Sequence, residues 1–507
     1  MRDPLILAHD IGTSGTKSTL VRPEDGGVVA SETTPHRTHF PRLGWAEQQP
    51  SDWWDGVCRN TRTLIARHAD LRGRIAAMGV SGHMLGCVPV DTAGRALRPS
   101  LIHSDCRAAG PCAMVGDRLG PRGLYELTGN ILEPRSSLCK VLWVQQHEPD
   151  IYRRTARFLQ AKDYVVSCMT GNCDATDYSD ASHAQWLDIR ARSYAADMLA
   201  ELGIERGKFP TLHRSTDVVG TLTRAAAQAL DLPSGVPVVA GGGDGACASA
   251  GAGAVNPGTT YCCLGTTAWI AATTGEPLID GQQRLFNLLA LDGEQNGVFG
   301  TVQAAGRSVE WAMDVLGESS FEGFDALLAE VPAGSEGLIF LPYLEGERSP
   351  IFDSDSRGVF FGLSSMHGRA HLLRATVEGV SFALRSVLEV MRESFAVPAL
   401  RLIGGGGRSL SWQQLLANVC RIPVQTLSTC SADATSLGAA FAAGVGVGLF
   451  DSLAHAAQTV RVTGQQAADP DLAQRYDRGF HIYQALYPQL KPLFAELQQS
   501  LQHEDRQ

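Results

Sequence analysis

The sequence predicts an α/β protein of two related domains, and three observations lead to this prediction. Strand-like and helical segments alternate through both halves of the 507 residues, which is typical of α/β domains. A strand–turn–strand motif at residues 9–20 recurs at 262–270. The chain is also longer than a single ordinary hydrophobic core supports, so two large domains are expected.

The first half opens with a hairpin, followed by alternating elements. We predict strands at 5–10, 16–22, 28–34, 75–81, 86–91 and 236–240. Helices are predicted at 52–69, 111–128, 137–147, 193–202 and 222–230. The first helix is indicated by the apolar spacing of Trp53, Val57 and Leu64.

The second half begins again with a hairpin at 259–273. It continues with a short strand at 402–403 and helices at 306–316, 322–331, 369–395, 411–421 and 471–501. Ser411 and Gln414 have the spacing of a capping box at the start of one of these helices. The small apolar stretch at 439–450 is predicted to form a buried helix and turn.

Composition and charge exclude several classes of protein. The net charge is −10 and no run of Lys and Arg is long enough for a nucleic-acid surface. The first ten residues carry Asp3 and Asp10, which is unlike a secretory signal, and the stretch at 439–450 is shorter than a membrane span. The twelve cysteines are scattered without a Cys-x-x-Cys pair, which predicts reduced thiols, no zinc site and a cytoplasmic protein.

The two hairpin turns are candidate phosphate sites. Small-residue turns between strands expose successive N–H groups and hydroxyls to an anion. The first turn is not a Walker A loop, because Gly12 and Gly15 are too close together and Thr16 separates Gly15 from Lys17. Each turn alone is more typical of an ordinary β-hairpin than of a phosphate site, and it is their duplication that favours phosphate binding.

These segments together resemble the FGGY carbohydrate kinases over nearly the whole chain. The matching segments are DIGTSGTK (10–17), GWAEQQPSDWW (44–54), VSGHMLG (80–86), RPSLIHSDCR (98–107), VVAGGGDGA (238–246), LGTTA (264–268), FLPYLEGERSP (340–350), GVFFGL (358–363), RATVEGVSFALR (374–385) and IGGGGRSLSWQQLLA (403–417). The resemblance implies two ribonuclease-H-like domains of the actin and hexokinase type, at 1–245 and 246–507. It also implies that ATP and a sugar meet in a catalytic cleft flanked by both.

Two aspartates are candidates for the chemistry. Asp244 follows three glycines at a strand end, where backbone approaches a ligand closely; from the residues alone it is equally consistent with a helix N-cap. The resemblance implies that Asp244 is the general base that takes the sugar hydroxyl proton. Asp10 precedes the first phosphate turn and is itself consistent with a turn-stabilising role; the resemblance implies that it binds Mg²⁺ beside the phosphates.

The resemblance also implies an ATP site shared by both domains. The four glycines at 404–407 exceed what a strand-to-helix turn needs, and in the family this loop packs on adenosine. The residues implied to bind ATP are Thr13, Ser14, Lys17, Gly265, Thr266, Thr267, Gly405, Gly406, Gly407 and Asn418.

The implied sugar site comprises His83, Met84, His103, Asp105 and Asp244. Met84 is equally consistent with a core residue, and His83 and His103 with structural histidines. The motifs agree most with the xylulokinases of the family, which implies conversion of D-xylulose to D-xylulose 5-phosphate. The segments His83-Met84-Leu85 and His103-Ser104-Asp105 depart from the Gln-Met-His and Trp-Asn-Asp usual there.

Two alternatives stay open at this point. One is a kinase for another ketose or polyol, such as ribulose, erythritol or glycerol. The other is an actin-like ATPase that is not a kinase, which the Asp244 carboxylate and the Asp105 motif disfavour. The expected partners are a sugar and ATP, without nucleic acid or membrane. The sequence allows a homodimer but does not fix the oligomeric state.

Overall fold

The chain divides into two compact units that interleave along the sequence. The computed structural model describes residues 3–318, 321–428 and 433–504. Unit 1 comprises Met1–Pro257, Thr273–Val298 and Asp433–Arg461, and unit 2 comprises Gly258–Ala272, Phe299–Ala432 and Val462–Gln507. The domain boundary expected after residue 245 stays a prediction, because these spatial units are not continuous in sequence.

The elements up to Pro257 belong to unit 1. The strands are β1 (Leu5–Ile11), β2 (Gly15–Arg22), β3 (Gly27–Pro35), β4 (Glu47–Gln48), β5 (Ile75–Gly82), β6 (Val88–Val90), β7 (Ser100–Leu101), β8 (Arg157–Leu159), β9 (Ala175–Asp177), β10 (Leu187–Asp188), β11 (Ser193–Tyr194), β12 (Thr211–His213), β13 (Val218–Thr221), β14 (Pro237–Val239) and β15 (Gly242–Gly243). The helices are α1 (Pro50–Arg67), α2 (Ala109–Leu119), α3 (Pro121–Thr128), α4 (Ser137–His147), α5 (Pro149–Arg154), α6 (Ala161–Thr170), α7 (Tyr178–His183), α8 (Ala196–Glu201), α9 (Arg224–Leu230) and α10 (Asp244–Gly251).

The remaining elements follow in chain order. The strands are β16 (Thr260–Leu264), β17 (Ala268–Thr274), β18 (Phe286–Leu289), β19 (Asn296–Val302), β20 (Ile339–Leu341), β21 (Val359–Phe361), β22 (Leu400–Ile403), β23 (Val424–Leu427) and β24 (Val462–Gln466). The helices are α11 (Gly306–Val315), α12 (Phe324–Ala329), α13 (Arg369–Arg392), α14 (Leu410–Cys420), α15 (Ala434–Gly446), α16 (Leu453–Ala457) and α17 (Pro470–Glu504). Short 3₁₀ helices lie at Ala69–Arg74, Arg206–Lys208, Ser335–Gly337 and Gly405–Arg408.

The two units repeat one strand order. In unit 1, β1 forms a hairpin with β2 and lies parallel to β5, which is parallel to β14, and β14 is antiparallel to β13. In unit 2, β16 forms a hairpin with β17 and lies parallel to β22, which is parallel to β23, and β23 is antiparallel to β24. The repeated order confirms the prediction of two related α/β units.

The core of unit 1 forms on both faces of its sheet. Trp53, Val57 and Leu64 of α1 are buried against one face, as their spacing predicts. On α10 and α15 glycine allows the backbones to touch: a Cβ at Gly251 would lie 1.8 Å from the Ala434 carbonyl oxygen, and one at Gly438 would lie 1.9 Å from that of Cys247. Residues 433–461 thus belong with the N-terminal part of the chain.

Several element predictions needed correction. The helix predicted at 111–128 is broken at Gly120, whose φ of +70° suits glycine and ends α2 before α3 begins. The capping box predicted at Ser411 is wrong: Ser409 is the N-cap of α14, and its Oγ accepts the Trp412 N–H at 3.0 Å. The eleven cysteines within the described residues are free thiols. Over those same residues, no helix is long and apolar enough to cross a membrane.

Candidate active site

The predicted general base and the predicted Mg²⁺ ligand emerge at one edge of the unit 1 sheet. Asp10 lies opposite Ser81 in the parallel pair of β1 and β5, and Ser81 lies opposite Gly242 of β15. Parallel strands end at the same edge, so Asp244, which follows β15 as the first residue of α10, meets Asp10 there. Asp244 is not the N-cap of α10, because Gly243 occupies that position.

The surroundings of these carboxylates favour their protonated forms. Burial, and then the charge of Asp10, raise the pKa of Asp244 to about 7, while the Gly245 N–H, donated to Asp244 Oδ1 at 2.7 Å, acts in the opposite direction. Burial likewise raises the pKa of Asp10 to about 6, against the opposing influences of Ser81 and then Lys17. A carboxylate with a pKa near neutrality is suited to accept a proton.

The same pair fits a Mg²⁺ ion. Asp10 Oδ1 is buried and has no hydrogen-bond partner among the residues that the structure describes. Within those residues, no group of three His, Cys, Asp or Glu side chains would hold a metal by itself. Mg²⁺ usually keeps several waters and needs only one or two carboxylates together with phosphate, which Asp10 and Asp244 offer.

The first hairpin turn lies beside this pair. Thr13 and Ser14 are exposed at its tip, and the turn closes through the Gly12 N–H donated to the Gly15 carbonyl at 3.0 Å. Lys17 lies opposite Asp10 in the hairpin, and its ammonium forms an ion pair with Asp433. The phosphate contacts predicted for Thr13, Ser14 and Lys17 stay predictions.

His83 and Met84 lie next to the carboxylate pair. The backbone N–H of His83 donates to the Ile11 carbonyl at 2.9 Å, which fixes residue 83 at the end of β1. Met84 packs on the backbone before Asp244, since a Cβ at Gly243 would lie 2.5 Å from Met84 Cε. Met84 is therefore a buried side chain at the edge of the site, and its predicted sugar contact stays a prediction.

The His83 imidazole is buried without being satisfied. It is 3% exposed, its ring lies 5.3 Å from the Trp53 ring and 6.0 Å from the half-buried His103 ring. Neither ring nitrogen has a hydrogen-bond partner among the described residues. Burial, then the proximity of His103, hold the pKa of His83 well below its ordinary value. A neutral imidazole offers one donor and one acceptor, which suits a hydroxyl-bearing ligand.

Asp105 is fully buried and engaged within the chain. Its Oδ2 accepts the Ala46 N–H at 2.6 Å and the Arg107 guanidinium at 2.7 Å, while Oδ1 accepts the Arg107 N–H at 3.1 Å. Arg107 also pairs with Glu47 at 2.8 Å and stacks 3.7 Å from the Trp45 ring. The predicted hydroxyl contact of Asp105 stays a prediction, whereas the contacts present hold the polypeptide around His103.

Unit 2 contains a cavity of about 670 Å³ that begins at the second hairpin. Its lining includes Gly265 and Thr266 of the hairpin turn, Gly405 and Gly406 of the glycine loop, and the aromatic side chains of Phe321, Phe324 and Trp412. Such apolar walls with a few polar groups are typical of small-molecule sites. The cavity brings together two segments that the sequence associates with ATP.

The glycine loop is shaped by its contact with the second hairpin. At Gly404 φ is +93° and a Cβ would lie 2.5 Å from the Leu264 carbonyl oxygen; at Gly406 it would lie 2.6 Å from Leu264 Cγ. Gly407 and Thr267 are not part of the cavity lining. Asn418 is also outside it: its buried Oδ1 accepts from Gln414 Nε2 at 3.0 Å and the Asp469 N–H at 2.8 Å. The contact of Asn418 with the base therefore has no support from this cavity.

Lys140 was not predicted from the sequence, and it contacts both segments that are predicted to bind the sugar. Its buried ammonium donates to the Leu85 and Ile102 carbonyls, both at 2.7 Å, and burial lowers its pKa to about 8. These carbonyls flank the segments of His83 and His103. The available signal was a lysine inside the apolar run SLCKVLWV at 137–144, since lysine is rarely fully buried without a partner.

Comparisons with known proteins agree with this geometry. The family models described as the N- and C-terminal domains of the FGGY family of carbohydrate kinases match residues 5–251 and 260–447. A xylulose kinase of Escherichia coli K12 is 32% identical over 492 residues, covering 97% of this chain and 100% of the relative.

Solved structures give the same result at the level of the fold. A xylulose kinase from Rhodospirillum rubrum is 30% identical, with a TM-score of 0.87 and coverage of 97% of this chain and 100% of the other. A gluconate kinase from Lactobacillus acidophilus is 25% identical, with a TM-score of 0.91 and coverage of 97% and 99%.

The matches to both family models follow one another along the chain, on a fold with a duplicated hairpin and a carboxylate pair at the sheet edge. The chain belongs to the FGGY family of carbohydrate kinases and is an ATP-dependent carbohydrate kinase.

Proposed function

We propose that this kinase transfers the γ-phosphoryl group of ATP to a sugar hydroxyl, with D-xylulose as substrate and D-xylulose 5-phosphate as product. The observation that carries the mechanism is Asp244, a partly buried carboxylate beside Asp10 whose pKa is raised to about 7. The choice of D-xylulose is supported by the relatives named xylulose kinase.

Asp244 serves as the general base in this proposal. As the sugar oxygen bonds to phosphorus, the hydroxyl proton passes to the Asp244 carboxylate, and the bond from phosphorus to the bridging oxygen of ADP breaks. Removal of a proton during attack helps a poor hydroxyl nucleophile. Most of the remaining barrier is lowered by positioning and by neutralising phosphate charge.

Asp10 would hold Mg²⁺ beside the phosphates, with Asp244 close by. The ion, when bound, neutralises charge on the transferred group. Thr13, Ser14 and Lys17 would contact the outer phosphates from unit 1, and Gly265, Thr266 and Thr267 from unit 2. The unit 2 cavity would take the adenosine, against Gly405 and Gly406.

The sugar would lie against His83, Met84 and His103. Sites that hydrogen-bond hydroxyls discriminate strongly, because an analogue without the hydroxyl leaves buried polar groups unpaired. The His83 nitrogens supply such groups. Since His83, Leu85 and His103 replace residues usual in xylulokinases, another ketose or a polyol such as ribulose, erythritol or glycerol is the alternative substrate.

A coupled ADP-release assay over ketoses and polyols tests the proposal. We expect ADP release to depend on sugar, with kcat/KM for D-xylulose at least as high as for ribulose, erythritol or glycerol. No turnover of any pentulose with robust turnover of a polyol would refute the D-xylulose assignment and leave the kinase standing. ADP release independent of every sugar would refute phosphoryl transfer to sugar. The cytoplasmic location and the homodimer stay predictions.

A further inference from the structure

A buried ionic cluster lies behind the proposed catalytic base. It consists of Lys162 with Asp163, Asp177 and Asp180, all at most 2% exposed. Lys162 Nζ lies 3.0 Å from Asp177 Oδ1 and 3.4 Å from Asp180 Oδ2, and it also pairs with Asp163. Burying one cation with three carboxyl groups costs free energy of desolvation unless their hydrogen bonds are well satisfied. Such a cluster is therefore expected to have a role other than stabilising the fold.

Hydrogen bonds connect this cluster to the residue before Asp244. The Gly243 N–H donates to Ser179 Oγ at 3.0 Å. Ser179 Oγ in turn donates to Asp177 Oδ2 at 2.5 Å. The path from the Lys162 ammonium to the backbone at the start of α10 therefore passes through two side chains.

Gly243 offers only its backbone for such an anchor. It is the N-cap of α10, and a Cβ there would lie 2.5 Å from Met84 Cε, so an added side chain would have to displace Met84. The Gly243 backbone is paired with Gly82 of β5, and its N–H is the group through which a side chain can help to fix the direction in which the chain enters α10. Asp244 is the next residue.

We propose that Ser179 and Asp177 are positioning residues that hold the Gly243 N–H and thereby orient the Asp244 carboxylate toward the attacked hydroxyl. This inference rests on the proposed role of Asp244 as base. Lys162 Nζ pairs with Asp177 Oδ1 at 3.0 Å, and a carboxylate accepts a stronger hydrogen bond than a neutral group does. A displacement of about 1 Å at a reacting group can cost about 10²-fold in rate.

Ser215 provides a matched control. Its Oγ donates to the same Asp177 Oδ2 at 2.7 Å, and it is as fully buried as Ser179. Ser179→Ala and Ser215→Ala each remove one donor to Asp177, but only the first removes the acceptor of the Gly243 N–H. The difference between the two variants isolates the anchor.

The test compares both variants by melting temperature, kcat and KM. We expect Ser179→Ala to lower kcat about 10- to 100-fold, with KM for ATP within about twofold, because the nucleotide cavity lies in unit 2. Ser215→Ala should lose less than about threefold in kcat at a similar melting temperature. If Ser179→Ala does not fold, Ser179→Cys repeats the test, since a thiol keeps the volume but accepts weakly.

A double-mutant cycle with Asp244→Asn separates positioning from general damage. If Ser179 acts through Asp244, Ser179→Ala added to Asp244→Asn should change the residual rate less than about twofold. Equal kcat values for Ser179→Ala and Ser215→Ala, or a full additional loss in the Asp244→Asn background, would overturn the inference. Near wild-type activity of Asp244→Asn alone would instead overturn the proposed base.

Discussion

Asp244 owes its proposed role to an environment that is unfavourable for its charge. Burial removes water from the carboxylate, and Asp10 places a second negative charge nearby, so that the pKa of Asp244 rises to about 7. An aspartate at its ordinary pKa would be a weak base toward a hydroxyl. The two carboxylates at one sheet edge are thus suited to the two proposed roles, proton acceptance at Asp244 and metal binding at Asp10.

The pH dependence of turnover should follow the protonation of Asp244. Because the base must be deprotonated, kcat/KM for the sugar should fall about tenfold per pH unit below the pKa of about 7 of Asp244. Initial rates at saturating ATP, with ADP measured directly, check this. A profile that is flat through this range would contradict the assignment.

Asp105 should be important because it holds its neighbours. Asp105→Ala leaves the buried Arg107 guanidinium with one carboxylate partner fewer and the Ala46 N–H without its acceptor. Loss of one partner of a buried ion pair costs about 3–5 kcal/mol, so the melting temperature should fall and kcat/KM should drop for every accepted sugar.

Asp105→Asn is the control for that prediction, because the amide still accepts one hydrogen bond. If Asp105→Asn keeps the melting temperature while KM for sugars rises, a direct hydroxyl contact is indicated. Wild-type stability and turnover in Asp105→Ala would contradict a supporting role.

At the scale of elements, the glycines of the loop at 404–407 have different reasons to be glycine. Gly404 has a left-handed φ, and a Cβ at this position would clash with the Leu264 carbonyl, so the fold itself requires glycine here. Gly405 has nothing within 4 Å of an added Cβ and lines the cavity of unit 2. The absence of a side chain at Gly405 therefore leaves space in the cavity for a ligand, and no neighbouring protein atom occupies that space.

This distinction predicts opposite phenotypes for two adjacent alanine substitutions. Gly405→Ala should fold with an unchanged melting temperature but raise KM for ATP several-fold, because the methyl group enters the cavity. Gly404→Ala should lower the melting temperature, because the left-handed φ and the contact with Leu264 both oppose a Cβ. Thermal unfolding and steady-state kinetics on the pair decide this; wild-type KM for ATP in Gly405→Ala would remove that cavity from the nucleotide site.

Local sequence patterns predicted the helices and strands better than they predicted the tertiary contacts. The hairpins, α1 and α4 follow from apolar spacing and turn residues, which act over a few positions. Ser409 was missed as the N-cap because Ser411 and Gln414 offered an equally good local pattern. The contacts of Lys140 and the hydrogen bond from the Ala46 N–H to Asp105 could not be predicted, since they join residues remote in sequence.

At the scale of the whole molecule, the duplicated strand order places related hairpins in both units. In the proposed chemistry, residues of both hairpins contact the phosphates of the nucleotide, and water is excluded from the reacting centre. The first hairpin belongs to unit 1 and the second to unit 2. The sequence predicted this duplication because the turn motif repeats, but not the return of residues 433–461 to unit 1, which depends on glycine contacts between α10 and α15.

Binding of both ligands should therefore make the molecule more compact. Small-angle X-ray scattering should give a smaller radius of gyration with a non-hydrolysable ATP analogue and sugar together than without ligands. Each ligand alone serves as the control. An unchanged scattering profile, with binding confirmed by calorimetry, would indicate a site formed before ligands arrive.

The most direct measurement is the rate of sugar phosphorylation by Asp244→Asn, with ATP binding and thermal stability recorded on the same preparation. We expect a loss of about 10²–10⁴-fold in kcat with an unchanged Kd for ATP. The melting temperature at pH 8 should equal or exceed that of the wild type, because a buried charge repelled by Asp10 is removed. Activity within a few-fold of wild type would contradict the central claim that Asp244 accepts the proton.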